Sequence, residues 1–165
     1  MKATLTLLFL LVCFTVLTGQ DKPKAYDFSF ADLQGNLKNL SDLNGKVVLL
    51  LFWSTSCPIC QAEITSLNEL ASKHKDKNVV FLALTVESPE KTRKFLEKHN
   101  FLFDVAFVDL GTASEYGERD ERGNFFLVYP TYFLIDEKGR ITLKEKGSGK
   151  TKILDSFIER LLNRK

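Results

Sequence analysis

The sequence predicts an α/β domain, a mixed β-sheet with helices on both faces, and three features point to it. The run Val47-Val48-Leu49-Leu50-Leu51-Phe52-Trp53 is continuously apolar, as a strand covered on both faces should be. Strand-like and helix-like segments then alternate in the order β-α-β-α-β, followed by β-β-α. The 165 residues are 44% hydrophobic and include 14 Phe, enough for one sizeable core in a single domain.

The elements follow in chain order. Phe28, Phe30 and Leu33 alternate with polar residues before the turn Gln34-Gly35-Asn36, which predicts a short N-terminal hairpin. A second turn at 41–45 precedes the central apolar strand. Ser54-Thr55-Ser56-Cys57-Pro58 comes next, and a helix should start there because proline is favoured at a first helical position. Ala62, Ile64, Leu67, Leu70 and Ala71 carry its periodicity to about residue 73. Residues 78–86 read as another apolar strand. Ser88-Pro89-Glu90 signals a charged helix ending near His99, and 105–109 a third buried strand. Residues 131–136 and 140–146 flank Glu137-Lys138-Gly139 as a hairpin. Ile153, Leu154, Phe157, Ile158, Leu161 and Leu162 mark a C-terminal amphipathic helix. Right-handed crossovers make the first strands parallel, and the late hairpin adds antiparallel ones.

Residues 1–19 read as a signal peptide and 20–165 as the domain. Lys2 supplies the positive start, and residues 5–17 form an apolar run of about 13 residues. A membrane-spanning helix needs roughly 20. Leu17 stands where a cleavage box usually has Ala, which leaves retention as an anchor open. Gln20 stands where a lipoprotein box needs Cys, which argues against lipidation. The expected location is therefore exported, periplasmic or otherwise secreted, with no stable membrane insertion after cleavage.

Three cysteines are present, and Cys13 lies inside the leader. The mature chain keeps Cys57 and Cys60, one close pair, which is not a disulfide scaffold. Cys57-Pro58-Ile59-Cys60 sits where a buried strand hands over to a helix. The unpaired N–H groups and macrodipole of a helix start favour an anion. Cys57, at that start, is therefore expected to attack a substrate disulfide. Cys60, one turn inside, is expected to resolve the mixed disulfide. Two blander readings compete. Half of a zinc site would need a second Cys pair, and none exists. An inert structural disulfide closing so small a loop would restrain the unfolded chain little.

Phe52-Trp53-Ser54-Thr55-Ser56-Cys57-Pro58-Ile59-Cys60 followed by Glu63 resembles the active-site signature of the TlpA/ResA-like thiol–disulfide oxidoreductases. Tyr129-Pro130-Thr131-Tyr132-Phe133-Leu134-Ile135-Asp136 is similar to that family's second signature. The resemblance covers roughly residues 27–162 and includes a β-α-β insert between Val79 and Asp109. It implies a thioredoxin-like fold, export, electron exchange with protein disulfide or dithiol substrates, and a membrane electron donor. It implies no cofactor and no metal. It also implies a cis-proline at Pro130, with the Tyr129 backbone beside the Cys pair, and a proton partner for Cys60 at Glu63. Pro58 is expected to border the substrate, and Trp53 to be part core and part platform for the site. The chain departs from these patterns in places. Leu51 occupies the position of thioredoxin's buried Asp, and Thr65 replaces a common Pro, which argues against a kinked helix. Tyr129 replaces a smaller residue, and 118–124 lengthens the approach to Pro130, as a solvated loop or a partner-selecting flap.

Net charge is +2, which gives no sign of nucleic-acid binding, and a monomer is expected. Two other functions compete. A peroxiredoxin-like peroxidase would need a Pro seven residues before Cys57, where Leu50 stands, although Ser54 supplies a hydroxyl. A copper carrier would need further His or Met ligands, and Met1 is the only Met.

Overall fold

The run read as a central strand forms β3 (Val47–Phe52), and all six of its residues are buried. In the computed structural model, which describes residues 22–164, β3 sits inside a seven-stranded sheet. The predicted leader at 1–19 lies outside the described residues. Parallel to β3 runs β4 (Val79–Thr85), in the register Leu50↔Leu82. Next to β4, also parallel, is β5 (Asp104–Phe107). On the other side, β8 (Thr131–Ile135) pairs antiparallel with β3, Leu50 opposite Phe133, and β9 (Ile141–Lys146) completes the hairpin. The N-terminal hairpin, β1 (Ser29–Asp32) and β2 (Leu37–Asn39), adds to the sheet antiparallel through β5. Strand order is β2-β1-β5-β4-β3-β8-β9. The fold is thioredoxin-like α/β, as the sequence predicts.

Alternation along β3 divides the core into two layers. Val47, Leu49, Leu51 and Trp53 face the layer shared with α1 (Pro58–His74) and α4 (Thr151–Leu162). Val48, Leu50 and Phe52 face the other layer, with Phe28, Phe30 and Leu40. Helix α2 (Pro89–Leu96) starts at Ser88, whose side chain accepts from the Lys91 N–H. It ends three residues before His99. There the amides of Lys98 and His99 reach back only three residues, and His99 Nδ1 donates to the Phe95 carbonyl at 2.9 Å.

Two elements carry little sequence signal. Helix α3 (Leu110–Tyr116) is capped by Asp109, which accepts from the Thr112 N–H at 2.6 Å. It covers the second layer through Tyr116, whose ring packs on Phe28, Phe52 and Phe133 and whose hydroxyl donates to the Tyr26 carbonyl. The segment at 118–124, expected as a solvated loop or a partner-selecting flap, supplies one strand and the exposed turn of a small hairpin, β6 (Glu118–Arg119) with β7 (Phe125–Phe126). Gly117 makes it possible, since a Cβ there would come within 2.0 Å of the Phe125 ring. Glu118 ties the hairpin to β9 through Lys144 and Lys146.

At the far end of α1, Lys73 Nζ and His74 Nε2 each lie 2.7 Å from an Asp155 oxygen, fastening α1 to α4. Burial would raise the Asp155 carboxyl, but hydrogen bonds from Lys73 and His74 outweigh it and hold it below the usual range. Asp155→Ala strands the Nε2 of His74, a fully buried residue. It should destabilise the protein by about 1–3 kcal/mol in urea unfolding at neutral pH. A depressed carboxylate contributes stability above its unfolded value and loses it as pH falls through the folded one. The gap between wild type and variant should therefore narrow below about pH 4.

Candidate redox site

Because β3, β4 and β5 are parallel, their C-terminal ends share one edge of the sheet, and antiparallel β8 begins at that edge. Three segments meet there: the loop 54–57 after β3, residues 86–88 after β4, and Tyr129-Pro130 before β8. Crevices at the carboxyl ends of parallel strands are where α/β sheets place their chemistry.

Cys57 is the N-cap of α1, and its Sγ accepts the Cys60 N–H at 3.2 Å. The Cys60 thiol donates to Cys57 Sγ at 2.6 Å, and both cysteines are free. Cys57 is half-buried, whereas Cys60 is 3% exposed. Burial, and then the hydrogen bond to Cys57, push the Cys60 thiol up to about 12. One sulfur therefore accepts hydrogen bonds at a helix start, and the other holds its proton inside the protein.

The Tyr129–Pro130 peptide bond is cis, and the Tyr129 carbonyl lies 3.8 Å from Cys57 Sγ. Thr131 Oγ1 donates to the Val128 carbonyl, and the Gly147 N–H donates to that of Pro130, fixing this loop from both sides. The Tyr129 phenol is raised by burial and by the charges of Glu87, Cys60 and Cys57. Pro58 and Ile59 are exposed beside Cys57. Glu63 is half-buried, and its Oε2 accepts the Gly149 N–H at 2.9 Å.

Of the two roles expected of Trp53, the structure shows the core one and not a surface platform. It is 1% exposed and packs on Phe95 and Phe101, so substrate does not touch it. It belongs to the core under the loop, because the odd positions of β3 all face that layer.

Residues 22–144 match the AhpC/TSA family. The chain is 32% identical over 145 residues to the thiol–disulfide oxidoreductase ResA of Bacillus cereus, covering 87% of this chain and 78% of that one. The thioredoxin-like protein YneN of Bacillus subtilis is 32% identical over 126 residues, 74% of this chain and 69% of that one. Among solved structures, one described as a thiol:disulfide interchange protein DsbE from Chlorobium tepidum superposes with a TM-score of 0.75 at 30% identity. It covers 87% of this chain and 98% of that one. The chain belongs to the ResA-like thiol–disulfide oxidoreductases, within the thioredoxin superfamily.

In this ResA-like oxidoreductase, Glu87 and Tyr132 also lie around the candidate pair, with little signal in the sequence. Glu87, one position before the cap of α2, accepts from Ser54 Oγ at 3.0 Å and from the Thr55 N–H at 2.7 Å. Lys91 bonds Glu87 and also Ser56 Oγ. Burial would raise the Glu87 carboxyl, but hydrogen bonds from Lys91, Thr55 and Ser54 hold it below the ordinary range. Tyr132 is 1% exposed, and its hydroxyl has no hydrogen-bond partner among the described residues. Burial and the charges of Glu63, Cys60 and Cys57 raise its phenol. The only local signal for Glu87 was an acid beside a helix start, which is ordinarily just a capping feature.

No group of three or more His, Cys, Asp or Glu ligand atoms gathers at Cys57 among the described residues. Among the described residues, one group offers ligand atoms within 4.8 Å of one another, namely His74, Asp155 and Glu159. Lys73 already bridges both of those carboxylates, and the group lies at the far end of the 17-residue α1, about 25 Å away along the helix. No helix among the described residues is long and apolar enough to cross a membrane.

Proposed function

We propose that this oxidoreductase reduces protein disulfides in an exported, periplasm-like compartment and is returned to the dithiol state by a membrane electron donor. The observation that carries this reading is the asymmetry of the pair. Cys57 caps a helix with an accepting, half-exposed sulfur, while Cys60 sits behind it as a buried thiol. Export rests on the signal-like residues 1–19, and the domain would then be 20–165.

The reaction begins when the Cys57 thiolate attacks one sulfur of a substrate disulfide. A Cys57–substrate bond forms and the other substrate sulfur leaves as a thiolate, which takes a proton. Cys60 then loses its proton and attacks Cys57 Sγ, and the second substrate sulfur leaves. The enzyme ends as the Cys57–Cys60 disulfide, and two electrons have passed to substrate with two protons, one that Cys60 gave up and one from solvent. The Tyr129 carbonyl and Pro130 border the approach to Cys57, so an extended substrate backbone would lie along them, with Pro58 on the other side.

The second attack is the demanding one. Desolvation, the leading cause of the raised Cys60 value, persists in the mixed disulfide, so Cys60 needs a local base. Glu63, one helical turn beyond Cys60 and half-buried, is the proposed acceptor. Glu63→Gln should slow resolution of the mixed disulfide about 100-fold near neutral pH, a general-base contribution at the low end of the usual range. It should leave the first attack by Cys57 unchanged. Rapid-quench measurement of the mixed disulfide checks this, and equal resolution rates in the two proteins would remove Glu63 from the mechanism.

Reduction of insulin disulfides by the dithiothreitol-reduced protein tests the function as a whole. A peroxide-consumption assay on the same protein distinguishes a peroxidase, and anaerobic copper titration a carrier. Peroxide turnover without insulin reduction would overturn the proposal.

A further inference from the structure

The loop that carries Cys57 has almost no freedom of its own. Ser54 Oγ accepts the Ser56 N–H at 3.1 Å, the Ser54 carbonyl accepts the Cys57 N–H at 3.1 Å, and Gln61 Nε2 donates to the Thr55 carbonyl at 2.7 Å. Three more polar groups of 54–56 go to Glu87, just before α2, and to Lys91 on α2. Glu87 takes the Ser54 hydroxyl with one carboxylate oxygen and the Thr55 N–H with the other. Lys91, one turn on, holds Glu87 and reaches across to Ser56 Oγ at 2.6 Å, next to Cys57. The Glu87 side chain is only 13% exposed, against 51% for Lys91. A carboxylate is thus fixed beside the redox loop with a single lysine matching its charge. The same loop also reaches Cys60, since the Ser54 backbone N–H favours that sulfur's anion.

We propose that Glu87 and Lys91 are positioning residues for the redox reaction. They clamp 54–56 and balance the charge beside Cys57, so that the thiolate forms next to a neutralised carboxylate rather than a bare one. The proposal rests on the disulfide-exchange reading above. Neither residue is assigned a contact with substrate. Each acts through the loop and through the field at the sulfur, which falls off slowly in a partly buried setting.

A charge-balancing clamp and a merely structural one differ in the sign of their variants' effects. Lys91→Met leaves the Glu87 carboxylate uncompensated, so iodoacetamide alkylation of Cys57 at neutral pH should slow about threefold to tenfold. Glu87→Gln keeps an amide oxygen for the loop and leaves the Lys91 ammonium uncompensated, so alkylation should accelerate by a similar factor. The double variant should return close to the wild-type rate, and Lys91→Arg, which keeps the charge, should stay there. Unfolding midpoints measured alongside show that each variant is folded. Should a variant not fold, the sign of the remaining single variant decides. Rates that fall in both single variants, or that change in neither, overturn the proposal. Insulin reduction by the wild-type protein keeps the two readings separate. Opposite-signed alkylation shifts without insulin reduction would remove the disulfide-reductase reading and leave the charge balance at Cys57 standing.

Discussion

Cys57→Ser is expected to bring insulin-disulfide reduction down to the uncatalysed background, whereas Cys60→Ser should halt the enzyme after one step. A serine hydroxyl does not exchange with a disulfide, so without the Cys57 sulfur no mixed disulfide forms. With Cys57 intact and Cys60 gone, attack still occurs but nothing resolves the product. Cys60→Ser should therefore accumulate a covalent complex with substrate, seen as a mass increase that dithiothreitol reverses, and in cells it should capture the physiological partners. If Cys60→Ser turns over like wild type, or if Cys60 is the sulfur joined to trapped substrate, the assignment of roles is wrong. Cys60 should also show in stability. Its thiol is raised from an ordinary 9.0 to about 12 in the fold, so the native state holds that proton more tightly than the unfolded chain does. The associated stabilisation is complete below the ordinary value and is lost as pH rises through 9.0 toward about 12. Alkaline pH should therefore weaken reduced wild type more steeply than Cys60→Ser, as read by urea midpoints.

Trp53→Ala should have the largest effect on stability, about 3–5 kcal/mol by the usual penalty for emptying a buried aromatic site. Trp53 is 1% exposed. Its ring lies 5.6 Å from Phe95 and 5.2 Å from Phe101, and those rings carry α2 and the segment beyond it. Removing the indole would open a cavity under the redox loop and loosen the helix that supplies Glu87's partner, Lys91. Trp53 Nε1 has no hydrogen-bond partner among the described residues, so Trp53→Phe loses volume but no hydrogen bond and should be much milder. Urea unfolding of both variants in the oxidised and reduced states checks this. A Trp53→Ala midpoint within error of wild type would mean that the aromatic cluster contributes little.

Much of the fold was legible because it is written in short-range pattern. Val47 to Phe52 is apolar at every position, and only a strand buried on both faces requires that. Cys57 before Pro58 marks a helix start by chemistry alone, and that one junction locates both sulfurs. The hairpin of β8 and β9 turns on Glu137-Lys138-Gly139, residues adjacent in sequence. Other features were decided by contacts between distant segments. Nothing in 29–32 announces that β1 will pair antiparallel with β5. Helix α3 spans only seven residues, too few for a clear period, and it is held by Tyr116 against rings from three other segments. The hairpin of β6 and β7 forms because Gly117 admits Phe125 and Glu118 finds lysines on β9. Trp53 sits next to the Cys loop in sequence yet points into the core, because the pleat of β3, and not proximity to Cys57, sets its direction. Glu87 and Ser54 are 33 residues apart and meet only because parallel strands end at the same edge of the sheet. The sequence by itself picked out Cys57 and Cys60 as the candidate pair and predicted the architecture that presents them. Their surroundings came only with the tertiary structure, since burial and charge pairing depend on which distant segments the sheet brings together.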